Sequence, residues 1–369
     1  MQLVAYGSQD VYLTGNPQIT FWKVVYRRHT NFALEAVEQT FNGTAATGSN
    51  VVATISRNGD LIHKCYLVFE NKNGTAVNKI KDAHNLIKSV ELEIGGQQID
   101  KQYGDWMTIW NELSLPEDKQ KGYESMVGAV QDEKIYIPLQ FYFCTNPGLA
   151  LPLIALQYHE VRIKVELGEN DVLTNGDVKL WVDYVYLDTD ERRKMAQSSH
   201  EYLITQLQAD DGNQLTIASN KANKTARLNF NHPVKELVWV ADKKSLGELG
   251  DLATLGQSAT TKLTLNGHER AAPREGKYFS HVQPYQHHTR IPCMHSGAEL
   301  GGKINVYSFA LKPEESQPSG SCNFSRIDNA QLVTDIVGSG TDTYNLKIFA
   351  TNWNVLRIMS GMGGLAYSN

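Results

Sequence analysis

Apolar residues alternate with polar ones along much of this chain, and the series of alternating segments runs twice. In the first half, Val51 to Ser56 and Leu61 to Phe69 read as strands flanking Asn58-Gly59, the strongest short-range hairpin signal. Val90 to Ile94 and Gln97 to Lys101 flank Gly95-Gly96 as a second hairpin. After Asp105 the period changes: Trp106, Ile109, Trp110 and Leu113 fall at helical spacing, and Pro116-Glu117-Asp118 opens a second short helix. Strands resume at Ile135 to Phe143, Leu156 to Leu167 and Val178 to Leu187. In the last of these, Leu180, Val182, Tyr184 and Tyr186 share one face, with Trp181, Asp183, Val185 and Leu187 on the other. Apolar residues on both faces predict a central strand covered on both sides and packed against a neighbouring domain.

The second half repeats this order at an offset of about 170 residues, the length of one domain. Leu61 to Phe69 returns as Val234 to Val240. The strand ending at Gly95-Gly96 returns as Lys262 to Leu265 turning on Asn266-Gly267. Ile135 to Leu139 returns as Val306 to Ala310, and Lys179 to Tyr184 as Asn345 to Ala350. Further strands are expected at Tyr202 to Leu207, Ala226 to Phe230 and Ala330 to Ile336. Lys243 to Thr260 is a Leu/Gly-rich insertion absent from the first half, read as helix plus loop. The charge run Asp188 to Lys194, followed by Gln197-Ser198-Ser199, marks a solvated linker. The fold expected is all-β: two tandem eight-stranded antiparallel jelly rolls with short helices in the connecting loops, with other sandwiches left open by the strand count alone. The bounds are an arm at 1–30, jelly rolls at 31–188 and 201–358, a linker at 189–200 and a flexible Gly-rich tail at 359–369. The arm carries Tyr6, Val11, Tyr12, Leu13, Ile19, Phe21 and Trp22 without a core of its own, so it lies either on neighbouring chains or against its own first domain.

Composition narrows the function. The 369 residues are enough for two full cores. With 35 Lys and Arg against 40 Asp and Glu, the net charge of −5 argues against a basic nucleic-acid coat. No run approaches the ~18 consecutive apolar residues of a membrane span. The first residues lack the basic start and apolar run of a signal peptide. Cys65, Cys144, Cys293 and Cys322 have no CxxC spacing and read as buried free thiols suited to a reducing cytosol.

Candidate chemistry is thin. His281, His287, His288 and His295 cluster with Cys293, but without HxH or HExxH spacing, and read as ordinary loop histidines. His159 and Glu160 are neighbours in a strand-like segment, so their side chains diverge. Neither Gly-x-Ser-x-Gly nor GxxxxGK[ST] occurs. No catalytic residue, metal ligand or cofactor site is therefore assigned. Asn42, Asn73, Asn223 and Asn323 stand in Asn-x-Ser/Thr sequons and are the candidate N-glycosylation sites; Asn323 also reads as structural.

Four stretches are more specific. Near the start, Leu3-Val4-Ala5-Tyr6-Gly7-Ser8-Gln9-Asp10 is followed by Gly15-Asn16-Pro17-Gln18-Ile19-Thr20-Phe21 and Tyr26-Arg27-Arg28-His29-Thr30-Asn31-Phe32. Leu151-Pro152-Leu153-Ile154-Ala155-Leu156-Gln157-Tyr158-His159-Glu160 lies mid-chain. Tyr307-Ser308-Phe309-Ala310-Leu311-Lys312-Pro313 leads into Asn323-Phe324-Ser325-Arg326-Ile327-Asp328, and Ala350-Thr351-Asn352-Trp353-Asn354-Val355-Leu356 leads into Gly361-Met362-Gly363-Gly364. From end to end, the chain resembles the major capsid proteins of nucleocytoplasmic large DNA viruses, the chlorovirus and iridovirus group. It looks short for that group, with the shortfall placed in the surface loops of both halves. The resemblance implies a structural, non-enzymatic protein of the virion capsid, assembled in the host cytoplasm. It implies a homotrimer with six jelly rolls and a nearly hexagonal outline, tiling the icosahedral shell of a double-stranded DNA virus. Partners would be copies of itself, neighbouring capsomers, penton and minor capsid proteins, and through these the inner viral membrane, with no direct nucleic-acid contact. The alternative class is a carbohydrate-binding or hydrolytic β-sandwich protein, since fold alone never decides function; the tandem repeat and the missing acid pair or metal motif count against it.

Overall fold

The structure, a computed structural model, describes residues 7–70, 77, 79–128, 133–169, 177–216, 221–255, 260–292, 301–337 and 343–368. The first half contributes β1 (Phe32–Gln39), β2 (Asn50–Thr54), β3 (Leu61–Glu70), β4 (Ile87–Ile94), β5 (Gln97–Tyr103), β6 (Lys134–Pro138), β7 (Val161–Leu167) and β8 (Val178–Leu187). The second contributes β9 (His200–Thr216), β10 (Lys221–Arg227), β11 (Pro233–Asp242), β12 (Leu252–Leu255), β13 (Thr260–Leu265), β14 (His268–Glu275), β15 (Asn305–Ser308), β16 (Ala330–Val337), β17 (Thr343–Met359) and β18 (Met362–Leu365). Helices are short: α1 (Ser8–Thr14), α2 (Ile80–His84), α3 (Gly104–Ser114), α4 (Glu117–Val127), α5 (Tyr142–Thr145), α6 (Thr189–Gln197) and α7 (Gln283–His287).

The repeat is visible in the pairing. In the first half β1-β8-β3-β6 form one antiparallel sheet and β2-β7-β4-β5 the other. In the second half β9-β17-β11-β15 and β10-β16-β13-β14 take the same orders, with β12 bridging β11 and β16. Both are the strand orders of a jelly roll. Each sandwich closes on its own apolar core. Ile62, Leu67, Val90, Ile163 and Val182 are among the buried residues of the first, and Leu237, Trp239, Leu263, Leu332 and Ile348 of the second. The hairpin turns match too. Gly95 and Gly96 have φ of +57° and +85°, and Asn266 and Gly267 have +51° and +79°. Two successive positive φ values give a two-residue turn whose twist suits the flanking strands, which is why Gly and Asn stand there.

Several expectations need correction. Asn58-Gly59 does not close a hairpin, because β2 and β3 lie in opposite sheets. Ile55 N–H still bonds Val161 on one sheet, while Asp60 N–H already bonds Val185 on the other. Gly59 is there for space: a Cβ would lie 2.8 Å from the Cβ of Tyr184. The strand expected to reach Phe143 ends at Pro138, and Tyr142–Thr145 is helical; a short apolar run such as Phe141-Tyr142-Phe143 cannot tell strand from helix. Likewise the ladder expected from Leu156 begins only at Val161, and that expected over Ala226 to Phe230 ends at Arg227. Lys243 to Thr260 shows turns and β12 but no helix among its described residues. The Gly-rich end is no loose tail, since β18 pairs back on β17 from Met359↔Met362 to Leu356↔Leu365. The charged linker, by contrast, is the solvated segment expected, a helix α6 with the Asp188 carboxylate accepting from Thr189 N–H and no residue of the helix buried.

Candidate functional site: a locked seam and uncovered faces

The two sandwiches meet along α3. Its Trp106, Ile109 and Leu113 pack onto Val238, Val240, Val306 and Phe349 of the second half, so a helix from one half covers the outer face of the other's sheet. The Trp106 and Phe349 rings lie 5.2 Å apart. Charges are buried within this apolar contact. Lys347 Nζ on β17 sits 3.0 Å from Asp105 on α3 and 2.8 Å from Asp242 on β11, all three side chains fully buried. Burial pushes the Asp105 carboxyl up, and Lys347 opposes that shift. Arg290, just past α7, reaches back to Glu112 at 2.8 Å and to the Gln120 side chain at 2.7 Å. The Lys347–Asp105, Arg290–Glu112 and Arg290–Gln120 contacts cross from one half to the other and tie the two together.

His288 forms a third buried group, 3.0 Å from Glu236 and 2.9 Å from Glu314. The contact with Glu236 is close enough for an ion pair but poorly aligned for a hydrogen bond. Burial works against charge on His288, yet the two carboxylates outweigh it and hold its pKa up at about 9. Since the folded value lies above the ordinary 6.5, this stabilisation is complete below about pH 6.5 and is lost as the pH rises through about 9. The stability gap between the native chain and His288→Gln should therefore be widest near about pH 6 and close toward about pH 9.5 in thermal melts. Lys235, pushed down to about 8 by burial, faces the same Glu236 and Glu314, so the pH-dependent gap reads the cluster that His288 joins. A gap independent of pH would mean that His288 is neutral.

Other faces have no cover from the described residues. Every residue from Gly7 to Asn31 is exposed; Ile19 is 92% and Phe21 99% accessible. The described part of the arm, from Gly7 onward, is thus not tucked against its own first domain, and Ser8–Thr14 within it is helical. The outer face of β8 also differs from expectation. Leu180, Val182 and Tyr184 are buried, but Trp181 and Asp183 are only half-buried. Trp181 stacks on Tyr66 of β3 at 6.3 Å, Tyr66 lies 6.3 Å from Tyr136 of β6, and Phe32 and Leu34 on β1 are exposed. The repeat-related strand β17 is the one buried on both faces, because α3 covers it. An aromatic row left half-exposed where its counterpart is covered is a surface suited to another chain.

The sequence candidates for chemistry do not converge. His281 contacts Ser280, His287 the carbonyl of Leu311, and His288 its two carboxylates. Cys293, His295 and Asn73 lie outside the described residues. No group of three or more His, Cys, Asp or Glu that could hold a metal occurs among the described residues. His159 and Glu160 precede β7 rather than lying in a strand; His159 contacts Gly363 and Glu160 pairs with Arg162. Of the thiols, Cys65 is buried, while Cys144 and Cys322 are only half-buried. Asn42 is exposed and pairs with Val52 of β2, and Asn223 lies on β10 opposite Asp335. Asn323 is exposed, with its side-chain oxygen accepting from Ser325 N–H. The buried seam was missed by sequence reading. Its one signal is a lysine inside the apolar run Leu346-Lys347-Ile348-Phe349.

Comparison with known proteins agrees with this architecture. Residues 20–188 match the family described as major capsid protein N-terminus, and residues 191–364 match large eukaryotic DNA virus major capsid protein. The chain is 54% identical to the major capsid protein of Pyramimonas orientalis virus, covering 100% of this chain and 99% of the relative. It is 43% identical to that of Paramecium bursaria Chlorella virus 1, with the same coverage. The major capsid protein of Frog virus 3 is more distant, at 25% over 90% of this chain and 89% of the relative. The first two alignments run over 404 and 439 positions against 369 residues here, so the relatives carry insertions that this chain lacks. Among solved structures, the quasi-atomic model of the PBCV-1 virus capsid superposes with a TM-score of 0.82 at 38% identity, covering 95% of this chain and all of the other. A fitted crystal structure of PBCV-1 VP54 gives 0.81 at 37%, again over 95% and 100%. The chain belongs to the major capsid proteins of large eukaryotic DNA viruses, the structural, non-enzymatic double jelly-roll proteins that form the capsid shell.

Proposed function

We propose that three copies close into a trimer whose six sandwiches give a nearly hexagonal tile of an icosahedral shell. The observation that carries this is the repeat itself. Two sandwiches of matching strand order, locked at the seam, let a three-fold ring present six similar blocks. In this reading 31–188 and 201–358 are the two blocks, 189–200 the linker, 1–30 the arm and 359–369 a closing segment. The half-exposed row of Tyr66, Trp181 and Tyr136 faces a neighbouring copy in the ring. The exposed arm reaches adjacent capsomers and the penton and minor capsid proteins, and through those the shell stands over an inner membrane. Assembly proceeds in the host cytoplasm, without direct contact to nucleic acid. Asn42 is the sequon placed first for a glycan, because it is exposed, whereas Asn323 spends its side-chain oxygen on a local turn.

Light scattering with negative-stain images of the same fraction tests this reading. Three chains of 41.2 kDa make about 124 kDa, and hexagonal particles are expected in that peak. A monomer that stays single at high concentration and alongside its partner capsid proteins would overturn it.

A further inference from the structure

A cavity of about 410 Å³ opens where the two halves meet. That volume falls in the range of roughly 300–1,000 Å³ usual for small-molecule sites. Its floor holds four polar side chains that are at most 6% exposed: Asp100, Gln102, Gln206 and Lys235. Trp106 and Trp110, stacked 5.6 Å apart, form one wall. The rim comes from the loop at Asn146-Pro147 and the loop at Ser316-Gln317, joined by a 2.7 Å bond from Asn146 Nδ2 to Ser316 Oγ.

The floor is incompletely satisfied. Gln102 donates through Nε2 to Asp100 at 3.0 Å and to the Gln140 carbonyl at 2.7 Å. Its Oε1 is buried and has no hydrogen-bond partner among the described residues. An amide oxygen so placed calls for a donor. Lys235 lies 4.7 Å from the centre of the Trp353 ring and donates to the Pro313 carbonyl at 2.9 Å, which uses one of its three protons. The occupant must therefore bring a donor for Gln102, an acceptor for Lys235 and a flat apolar face for the indoles. A free carboxylate would meet Lys235 but also the carboxylates of Asp100 and Glu314 at the same cavity. An amine would suit Gln102 but meet the Lys235 charge, and the cavity's carboxylates are already engaged: Glu314 by His288 and Thr289, Glu315 by Lys312, and Asp100 by Gln102 and the N–H groups of Lys101 and Leu207. A hydroxyl donates and accepts at once, and a sugar ring carries several of them around an apolar face.

We propose that this seam cavity binds a small neutral saccharide, with Gln102 and Lys235 as its hydrogen-bonding partners and Trp106 and Trp110 as its stacking wall. The site is independent of the trimer reading, since every residue in it comes from one chain.

The test is saturation-transfer NMR on the full-length protein with glucose, galactose, mannose and xylose, and with glycine and lysine as charged controls. At least one sugar should give a saturable signal, and the controls none. Gln317→Trp places a bulky ring at the exposed rim without touching the core, and should weaken that signal by at least about tenfold. Gln102→Met, of similar size, should weaken it by about tenfold through the lost hydrogen bond. The proposal is overturned if no sugar binds, if lysine or glycine binds instead, or if sugar binding is unchanged in Gln317→Trp, which would put the sugar elsewhere on the protein.

Discussion

Replacing Lys347 with methionine should destabilise the folded chain by about 3–5 kcal/mol, the range for removing one partner of a buried ion pair. The side chain is fully buried, and its ammonium lies within 3.0 Å of both Asp105 and Asp242. It also donates to the Glu248 carbonyl at 2.6 Å. Methionine fills similar space and forms none of these bonds, so two carboxylates would remain at the seam without a cation. Asp105 would keep only the N–H groups of Trp106 and Gly247, and Asp242 those of Lys244 and Gly250. The defect carries its own signature in pH. A buried carboxylate stripped of its cation has a raised folded-state pKa, so it stabilises the fold at low pH and costs stability as the pH rises through that value. The loss in Lys347→Met should accordingly shrink on acidification, whereas a packing defect would stay constant. Denaturation of both proteins at equal concentration, near neutrality and again near about pH 5, separates the two cases, because protomer concentration shifts the apparent stability of an oligomer. A loss under about 1 kcal/mol at neutrality would mean that water reaches these carboxylates and that the seam is not the lock described above.

Lys347 also shows where sequence reading stops. The repeat was legible because it is periodic: β3 with β11, the turns at Gly95-Gly96 and Asn266-Gly267, and β8 with β17 all occupy matching places in matching sheets. The α3 helix was legible for the same reason, from Trp106, Ile109 and Leu113 at helical spacing. What α3 covers was not. Alternation says that a face is apolar and is silent about which element lies on it, so the second covered face was assigned to β8, whereas β17 carries it. Asn58-Gly59 failed in the same way. A glycine required by a turn and one required by the Tyr184 side chain pressing on it look alike in one dimension. The candidate site was legible in outline from the exposed aromatic arm. The partners of Lys347, Arg290 and His288 depend on segments distant in sequence, which local patterns do not encode.

Removing residues 1–30 should leave the sandwiches as stable as before and abolish shell assembly. None of the arm residues from Gly7 onward is buried, so the fold loses no described core contact with them, and the melting temperature should stay within the small shift expected of surface changes. Assembly is another matter. Ile19, Phe21, Trp22, Val24, Val25 and Tyr26 are all more than 70% exposed in the single chain, an apolar run that one chain leaves in water. Covering even three such side chains contributes about 5–9 kcal/mol, at about 1.5–3 kcal/mol each, before the cost of ordering the arm is subtracted. Many copies repeat that contact around a closed shell, so its loss is multiplied. Coexpression of the truncated chain with its partner capsid proteins, with shells counted by electron microscopy, should show at least about a tenfold fall. Phe21→Ser with Trp22→Ser should reproduce most of the fall without shortening the chain. Light scattering on the truncated protein then separates two roles. A peak still at the trimer mass would place the arm between capsomers, whereas dissociation to single chains would place it within one. Shells at the native level from the truncated chain would remove the arm from assembly altogether and turn attention to the half-exposed row of Tyr66, Trp181 and Tyr136.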